Sequence, residues 1–430
     1  MEEVIVIGAG LAGSECALSL AKHGIKVKLY EMKPQKMSPA HHNTNFCELV
    51  CSNTFKNTSL DFATGLLKEE LMVLDSEVLK SAKACAVSAG DALAVDRLKF
   101  SEDVTNKLKN NKNIEIINKE VTKIDLTKPT IIATGPLTSD SLAKEIEKIT
   151  GEQLYFYDAL APIVDYESVD ISKAFLGDRF NPDSKDYINC PLTKEEYTNF
   201  WQELTKAERV KLKDFEQEKN FEGCLPVEVM AKRDFDVLRC GPMKPFKQKD
   251  KNEMPFAILQ LRKENELGTM YNMVGFQTNL TYPEQKRVFS LVPALKNVKF
   301  LRYGAMHRNS FINAPKFLTS TFSLKNHPNI FIAGQLSGVE GYVESVASGL
   351  LCSIFMLQYM GIMQKNRLSI NTALGALCNY LVSASEHNFQ PMHINWGLIA
   401  PIDAPKSVKK QEMVKRALTE IKEFKKVWIS

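Results

Sequence analysis

The six residues Gly8-Ala9-Gly10-Leu11-Ala12-Gly13 constrain the fold more than any other stretch of the sequence. They follow a β-type run, Glu3 to Ile7, and open a segment, Ser14 to His23, with apolar Ala17, Leu18 and Ala21 at helical spacing. Gly24 stops that helix, and Ile25 to Tyr30 read as a second strand, which makes one βαβ unit. A GxGxxG in this context has a physical task at each position. Gly8 permits the tight turn, Gly10 lets backbone amides approach a pyrophosphate, and Gly13 lets the helix pack closely on the strand. The helix N-terminus offers partial positive charge. Glu31 ends the second strand and can accept hydrogen bonds from a ribose, which disfavours a 2′-phosphate. Alone, the motif would be no more than a glycine-rich turn. The strand before it, the helix after it and Glu31 make it a dinucleotide loop.

The rest of the chain is read around that unit. At 430 residues it exceeds one compact core, and 44% hydrophobic with 25% charged residues excludes a largely disordered chain. Residues 114–119 and 129–133 read as further strands, the latter running into Ala133-Thr134-Gly135-Pro136. From about Tyr155 to Pro293 the sequence becomes rich in aromatics, Lys and Glu, with turns expected at Asn181-Pro182, Cys190-Pro191 and Gly241-Pro242. Strands and glycines return after Val298, with Asn329 to Ala333 as a strand and Gly334 to Gly349 leading into a long apolar helix. The expected fold is therefore α/β: a Rossmann-like domain, discontinuous over 1–154 and 294–430, with an inserted α+β substrate domain over 155–293. Met413, Val414, Ala417, Leu418, Ile421 and Phe424 lie at helical spacing near the end.

Several classes are disfavoured. Nine cysteines with no CxxC pair make neither a disulfide scaffold nor a zinc ribbon, and the adjacent His41-His42 lack a third ligand at suitable spacing, so no metal is expected. The acidic start and the short, Gln358-interrupted apolar run from Gly349 to Met363 predict a cytoplasmic protein with no signal peptide or membrane span. Net charge is +4, but eight Lys/Arg against three Glu after Pro405 put +5 in the last 25 residues. That tail suits either a polyanion or a solvated helix face.

A strand ending in Ala333-Gly334-Gln335, hundreds of residues from the first glycine loop, selects FAD over NAD as the resident cofactor. This is how two-dinucleotide-type flavoproteins complete the isoalloxazine site. Gly334 and Gly338 leave room beside a flat ring, and the following helix can aim its N-terminus at the pyrimidine end.

Within this frame long motifs occur in order: GAGLAGSE, YEMKP, PAHHNTNFCELVCSN, ALAVDR, IIATGPLTSDSLA, YFYDALAPIV, FEGCLPVEVMA, GPMKP, MVGFQTNL, EQKRVF, RYGAMHRNSFINAP, AGQLSGVEGYVESVASGL and NFQPMHINWGL. On these the chain resembles, nearly end to end, the TrmFO family of folate- and FAD-dependent RNA (uracil-5-)-methyltransferases. The GidA (MnmG) flavoproteins share the flavin loop but are much longer. The resemblance implies FAD, 5,10-methylenetetrahydrofolate as one-carbon donor, NADH or NADPH as reductant, and an RNA uridine as acceptor, giving 5-methyluridine. The tRNA T-loop uridine 54 is the first expectation and a 23S rRNA uridine the alternative. A flavin oxidoreductase that never touches RNA is a second alternative, but it would need no uracil nucleophile.

The chemistry asks for a thiolate, because C5 of uracil becomes nucleophilic only when C6 is attacked. The resemblance places the cysteine pair at Cys51 and Cys224, with Cys224 favoured as nucleophile and Cys51 as its flavin-side partner; the reverse assignment stays open. Cys16, Cys85, Cys352 and Cys378 sit among apolar residues and read as small hydrophobes. Cys47 departs from the family pattern and either brings a third thiol to the site or fills space. His307 and Arg97 lie in family motifs and read as folate or anion contacts, or equally as structural groups; Lys244 reads the same way. RNA contacts are expected among Lys244 to Lys251, Lys286-Arg287 and the tail, with Tyr155, Phe156 and Tyr157 as an aromatic shelf.

Overall fold

Strand Glu3–Ile7 buries Val4, Val6 and Ile7, a near-continuous apolar run suited to a parallel strand covered on both faces. In the computed structural model, which describes residues 3–38, 40–152, 154–179, 184–210, 225–247 and 253–429, it is central to a six-stranded sheet. Lys26–Glu31 and then Ile114–Asn118 lie on one side of it, and Thr130–Ile132, His327–Ile332 and Ser323–Leu324 on the other. All neighbours are parallel except the last pair. Residue 130 therefore faces residue 5 on one flank and residue 330 on the other.

Helix Leu11–Lys22 is buried from Ala12 to Ala21 because it is sandwiched between this sheet and helix Tyr342–Tyr359. Two glycines set the spacing. A Cβ on Gly349 would lie 2.2 Å from the carbonyl oxygen of Ala12, and one on Gly13 would lie 1.8 Å from that of Gly8. Backbone contact this close leaves room for no side chain. Gly24 ends the first helix at φ +80°.

The second sheet is antiparallel throughout, in the order Phe175–Leu176, Tyr187–Leu192, Ala257–Lys263, Met270–Met273, Ile163–Asp165, Phe300–Arg302. Its core, running from Val164 to Val298, is rich in rings: Phe200 of helix Lys194–Lys206 and Phe289 of helix Tyr282–Phe289 meet Phe276, and Tyr197 meets Phe235 and Phe256. These residues form a hydrophobic core cluster of their own, and their sheet takes in Phe300–Arg302, past Pro293. The β-type residues after Val298 mark a strand without revealing which sheet it joins. Cys190-Pro191 is likewise not a turn but part of strand Tyr187–Leu192. Proline is tolerated there because the neighbour Phe175–Leu176 pairs only with Asn189 and Ile188, leaving residue 191 on a local edge. An antiparallel ribbon, Leu154–Ala159 with Met306–Phe311, joins the two units. Asn181-Pro182 lies outside the described residues.

Candidate active site

Beside the first sheet lies a cavity of about 730 Å³. Its floor is the glycine loop, with Gly8, Ala9, Gly10, Leu11 and Ala12 all in the wall. Gly8 turns at φ +99°, and a Cβ there would meet the Ala133 carbonyl oxygen at 2.7 Å. Gly10 differs: nothing lies within 4 Å of where its Cβ would point. Gly13 stands behind the loop, in the helix packing just described. Glu31 is buried at the rim, its Oε2 accepting the Ala9 N–H at 2.9 Å and its Oε1 the Lys33 N–H at 3.0 Å. An open backbone cradle at a helix N-terminus, with a carboxylate held beside it, has the donor and acceptor set of an adenosine diphosphate site. The residues present fit FAD.

The facing wall comes from the other end of the chain. Gly334 turns at φ +73°, donates its N–H to Ser348 Oγ at 2.7 Å, and holds its Cα close to Ala12. Gln335 lines the cavity and donates to Glu340 Oε2 at 2.6 Å. Gly341, Tyr342 and Ser345, at the start of helix Tyr342–Tyr359, complete this wall. Gly338 does not line the cavity. It turns the chain at φ +93° against the ring of Phe389, where a Cβ would approach to 2.4 Å, so its glycine is required by packing.

Cys51 lines the same cavity and is half-buried. Its peptide is gripped on both sides. The N–H groups of Cys51 and Ser52 donate to the Tyr342 hydroxyl at 2.8 and 3.2 Å, and the Cys51 carbonyl accepts from Arg97 Nη2 and Arg302 Nη2, each at 3.1 Å. Arg302 Nη1 also reaches the Val50 carbonyl at 3.1 Å, and Arg97 the Leu49 carbonyl. Arg97 is further paired with buried Glu264. It is therefore committed to the Cys51 loop and does not face the cavity, which places it on the structural side of the two roles expected for it. Arg262 stands close by, donating to Asn53 Oδ1 at 3.1 Å. Three guanidiniums against one carboxylate leave net positive charge beside the Cys51 loop. Burial, with Arg97 adding to it, pushes Arg302 down to about 10, and burial raises the Tyr342 phenol.

Cys224 lies outside the described residues. The described chain resumes at Leu225, and the Val227 N–H donates at 2.7 Å to the carbonyl of Gln277, a cavity-wall residue. His307 is paired with Asp158 in the ribbon; its side chain, like those of Tyr155, Phe156 and Tyr157, is outside the described set. His41 lines the cavity with Nδ1 2.5 Å from Ser38 Oγ. Cys47 also lines the cavity, a second thiol there among the described residues, buried at φ +53° with its N–H on the Ala9 carbonyl, and burial pushes it up to about 12. It supports the glycine loop as a protonated side chain. Cys16, Cys352 and Cys378 are buried and Cys85 half-buried. Lys244 is exposed, and Lys249 and Lys251 are outside the described residues. Among the described residues there is no cluster suited to a metal ion, and no helix long and apolar enough to cross a membrane.

The chain is 52% identical, over 99% of its own length and of the relative's, to the methylenetetrahydrofolate–tRNA-(uracil-5-)-methyltransferase TrmFO of Acetivibrio thermocellus. It belongs to the TrmFO family. The TrmFO of Bacillus subtilis is 48% identical over 99% of both chains. Residues 3–362 also match the wider family described as glucose inhibited division protein A. The solved GidA of Aquifex aeolicus covers 99% of this chain and 73% of its own with a TM-score of 0.72 at 15% identity. That likeness carries the two-dinucleotide flavoprotein fold. Tyr342, in the cavity wall, and Arg302, on the Cys51 carbonyl, carry no distinguishing signal in the sequence. Both stand inside quoted family motifs, but as ordinary-looking members of them.

Proposed function

We propose that the protein transfers the one-carbon unit of 5,10-methylenetetrahydrofolate to C5 of a uridine in RNA, giving 5-methyluridine, with FAD as resident cofactor and NADH or NADPH as reductant. The observation that carries this reading is that Cys51 lines the same cavity as Gly10 and Gly334, so one thiol and both halves of a flavin cradle border one space. Bound FAD would supply the redox and one-carbon chemistry that turns a methylene into a methyl group. The residues that hold it are the Gly8 to Gly13 loop, Glu31, and Gly334 with Gln335. The chain's own contribution to the uridine is nucleophilic. A thiolate adds to C6, C5 gains enolate character and bonds to the electrophilic carbon, and loss of the C5 proton with expulsion of the thiolate restores the ring. We assign the attack to Cys224 and a supporting role on the cofactor side to Cys51. The Tyr342 hydroxyl and the guanidiniums of Arg97 and Arg302 fix the Cys51 peptide, so the thiol is oriented before substrate arrives.

The test is incubation with isotopically labelled methylenetetrahydrofolate, followed by mass spectrometry of nucleosides from tRNA and rRNA separately. Label is expected in 5-methyluridine at the T-loop uridine 54 of tRNA; label only in 23S rRNA moves the target, and label in neither rejects the reading. Cys224→Ala should lose methyl transfer while keeping flavin and NAD(P)H oxidation. A normal rate in Cys224→Ala with a dead Cys51→Ala reverses the two roles.

A further inference from the structure

Three aromatic rings of the second unit form a column that ends in solvent. Phe300 and Tyr303 stack with centroids 4.9 Å apart and planes 20° apart, and Tyr303 and Tyr282 continue at 4.7 Å and 15°. The inner end is rooted in the core, where Phe300 meets Phe289. The outer end faces solvent, with Tyr282 55% exposed and no further ring stacked on it among the described residues. Aromatic pairs in protein interiors take edge-on or tilted arrangements as readily as parallel ones, and most ring pairs of this core are edge-on or tilted, as Phe276 and Phe289 are at 79°, with Tyr166 stacked on Tyr271 an exception. Two successive near-parallel contacts that finish in an exposed ring present a flat π-face.

The column is anchored in elements that lead to the candidate active site. Tyr282 opens helix Tyr282–Phe289, with Pro283 in the first turn fixing the backbone. Gln277, five residues earlier, is part of the cavity wall. Tyr303 is flanked by Arg302, whose guanidinium grips the Cys51 carbonyl, and by Gly304. The Gly304 N–H donates to Gln285 Oε1 at 2.8 Å, and a Cβ on Gly304 would lie 2.7 Å from the carbonyl oxygen of Leu160, another wall residue. One helical turn beyond Tyr282, on the same face, stands exposed Lys286, which forms no ion pair among the described residues. Its neighbour Arg287 is different, being tied to Glu203 and Glu284.

We propose that Tyr282, backed by Tyr303 and Phe300, is a stacking platform for an unpaired nucleobase of the RNA, with Lys286 meeting the adjacent phosphate. This rests on the function proposed above and adds to it the surface where RNA is received. The pairing of a π-face with a cation one turn away is the chemistry of single-strand binding, in which the ring takes any base and the ammonium tracks the backbone. The charged rim formed by Lys286, Arg287 and Glu284 is too polar for the centre of a protein–protein contact.

The experiment measures binding of an unmodified tRNA transcript to the flavin-loaded protein across a salt series, for wild type, Tyr282→Ala, Tyr282→Trp and Lys286→Gln. The flavin absorbance of each variant serves as its fold control. Tyr282→Ala is expected to weaken binding about ten-fold or more with the salt slope unchanged, and Tyr282→Trp to restore it. Lys286→Gln should reduce the slope by about one. The platform is overturned if Tyr282→Ala binds as tightly as wild type, or if Trp does no better than Ala. It is overturned equally if Tyr282→Ala changes the sedimentation of the free protein, since the ring would then be packed against a second copy. Wild type that binds and methylates RNA beside an unimpaired Tyr282→Ala rejects the platform alone. Wild type that neither binds nor methylates RNA rejects the proposed function with it.

Discussion

Gly8, Gly10 and Gly13 have different reasons for lacking a side chain. At Gly8 and Gly13 the direction of a Cβ is blocked by backbone, so replacement damages the fold itself. At Gly10 that direction is open within 4 Å, so a larger residue fits the protein and obstructs only what the protein holds. Gly10→Val should therefore purify folded but colourless, with a thermal midpoint matching that of wild type stripped of flavin. Stoichiometric FAD in that variant would remove the glycine loop from the site. These glycines were legible because their partners are local: strand, turn and helix are contiguous. The grip on Cys51 was not. Its partners Arg302 and Tyr342 are 251 and 291 positions away, and nothing in the local pattern marks an arginine or a tyrosine as reserved for a distant peptide group. Arg97, only 46 positions from Cys51, was noticed through its motif, yet its buried partner Glu264 decided what it does.

The last helix, Lys409–Ile429, shows what periodicity can and cannot tell. Met413, Val414, Ala417, Ile421 and Phe424 are buried as their spacing predicts, and the helix packs on helix Ala63–Val73. The pattern could not say where the first turn would land. It lands at the cavity rim: Trp396 lines the cavity and donates to the Asp61 carbonyl at 2.9 Å, while Lys410 Nζ reaches the same carbonyl at 3.4 Å and stands 6.0 Å from the Trp396 ring. Lys415 and Lys422 are exposed farther along the helix. Of the lysines in this helix, Lys410 is the one with contacts at that rim among the described residues, and Lys409 precedes it in the same turn. Replacing Lys409 and Lys410 with Gln should weaken RNA binding and lower its salt slope by roughly one to two, with the modified nucleotide unchanged. An unaltered slope there, alongside a reduced slope in a Lys247/Lys249 variant, would assign the contact to the second unit instead. The proline in strand Tyr187–Leu192 taught the converse lesson. A turn signal in the sequence yields to tertiary pairing where the strand's other neighbour has ended.

At the scale of the whole molecule, buried carboxyls fasten elements from distant parts of the chain. Glu70 accepts the N–H groups of Ala373 and Leu374 at 2.7 and 2.9 Å, and Glu15 those of Val78 and Glu77 together with the Ser76 hydroxyl. Burial outweighs these bonds and raises Glu70 to about 8 and Glu15 to about 7. Both groups hold their protons in the fold more tightly than in the unfolded chain. Their contribution is complete below the ordinary carboxyl value and is lost as pH rises through 7 and 8. Unfolding free energies from urea titrations should therefore fall between pH 5 and 8, by at most about 1.4 kcal/mol per pH unit for each group. Glu70→Gln should flatten that fall, and parallel profiles for the two proteins would refute the assignment. The central sheet carries one more consequence. Thr130–Ile132 has Glu3–Ile7 on one flank and His327–Ile332 on the other, so the sheet lacks a strand until three quarters of the chain exists. During synthesis at roughly 5–20 residues per second, the amino-terminal half emerges with an unpaired apolar edge and waits tens of seconds for its partner. The cradle for the cofactor can be closed only from the far end of the message, so a prematurely stopped chain has no wall to hold it.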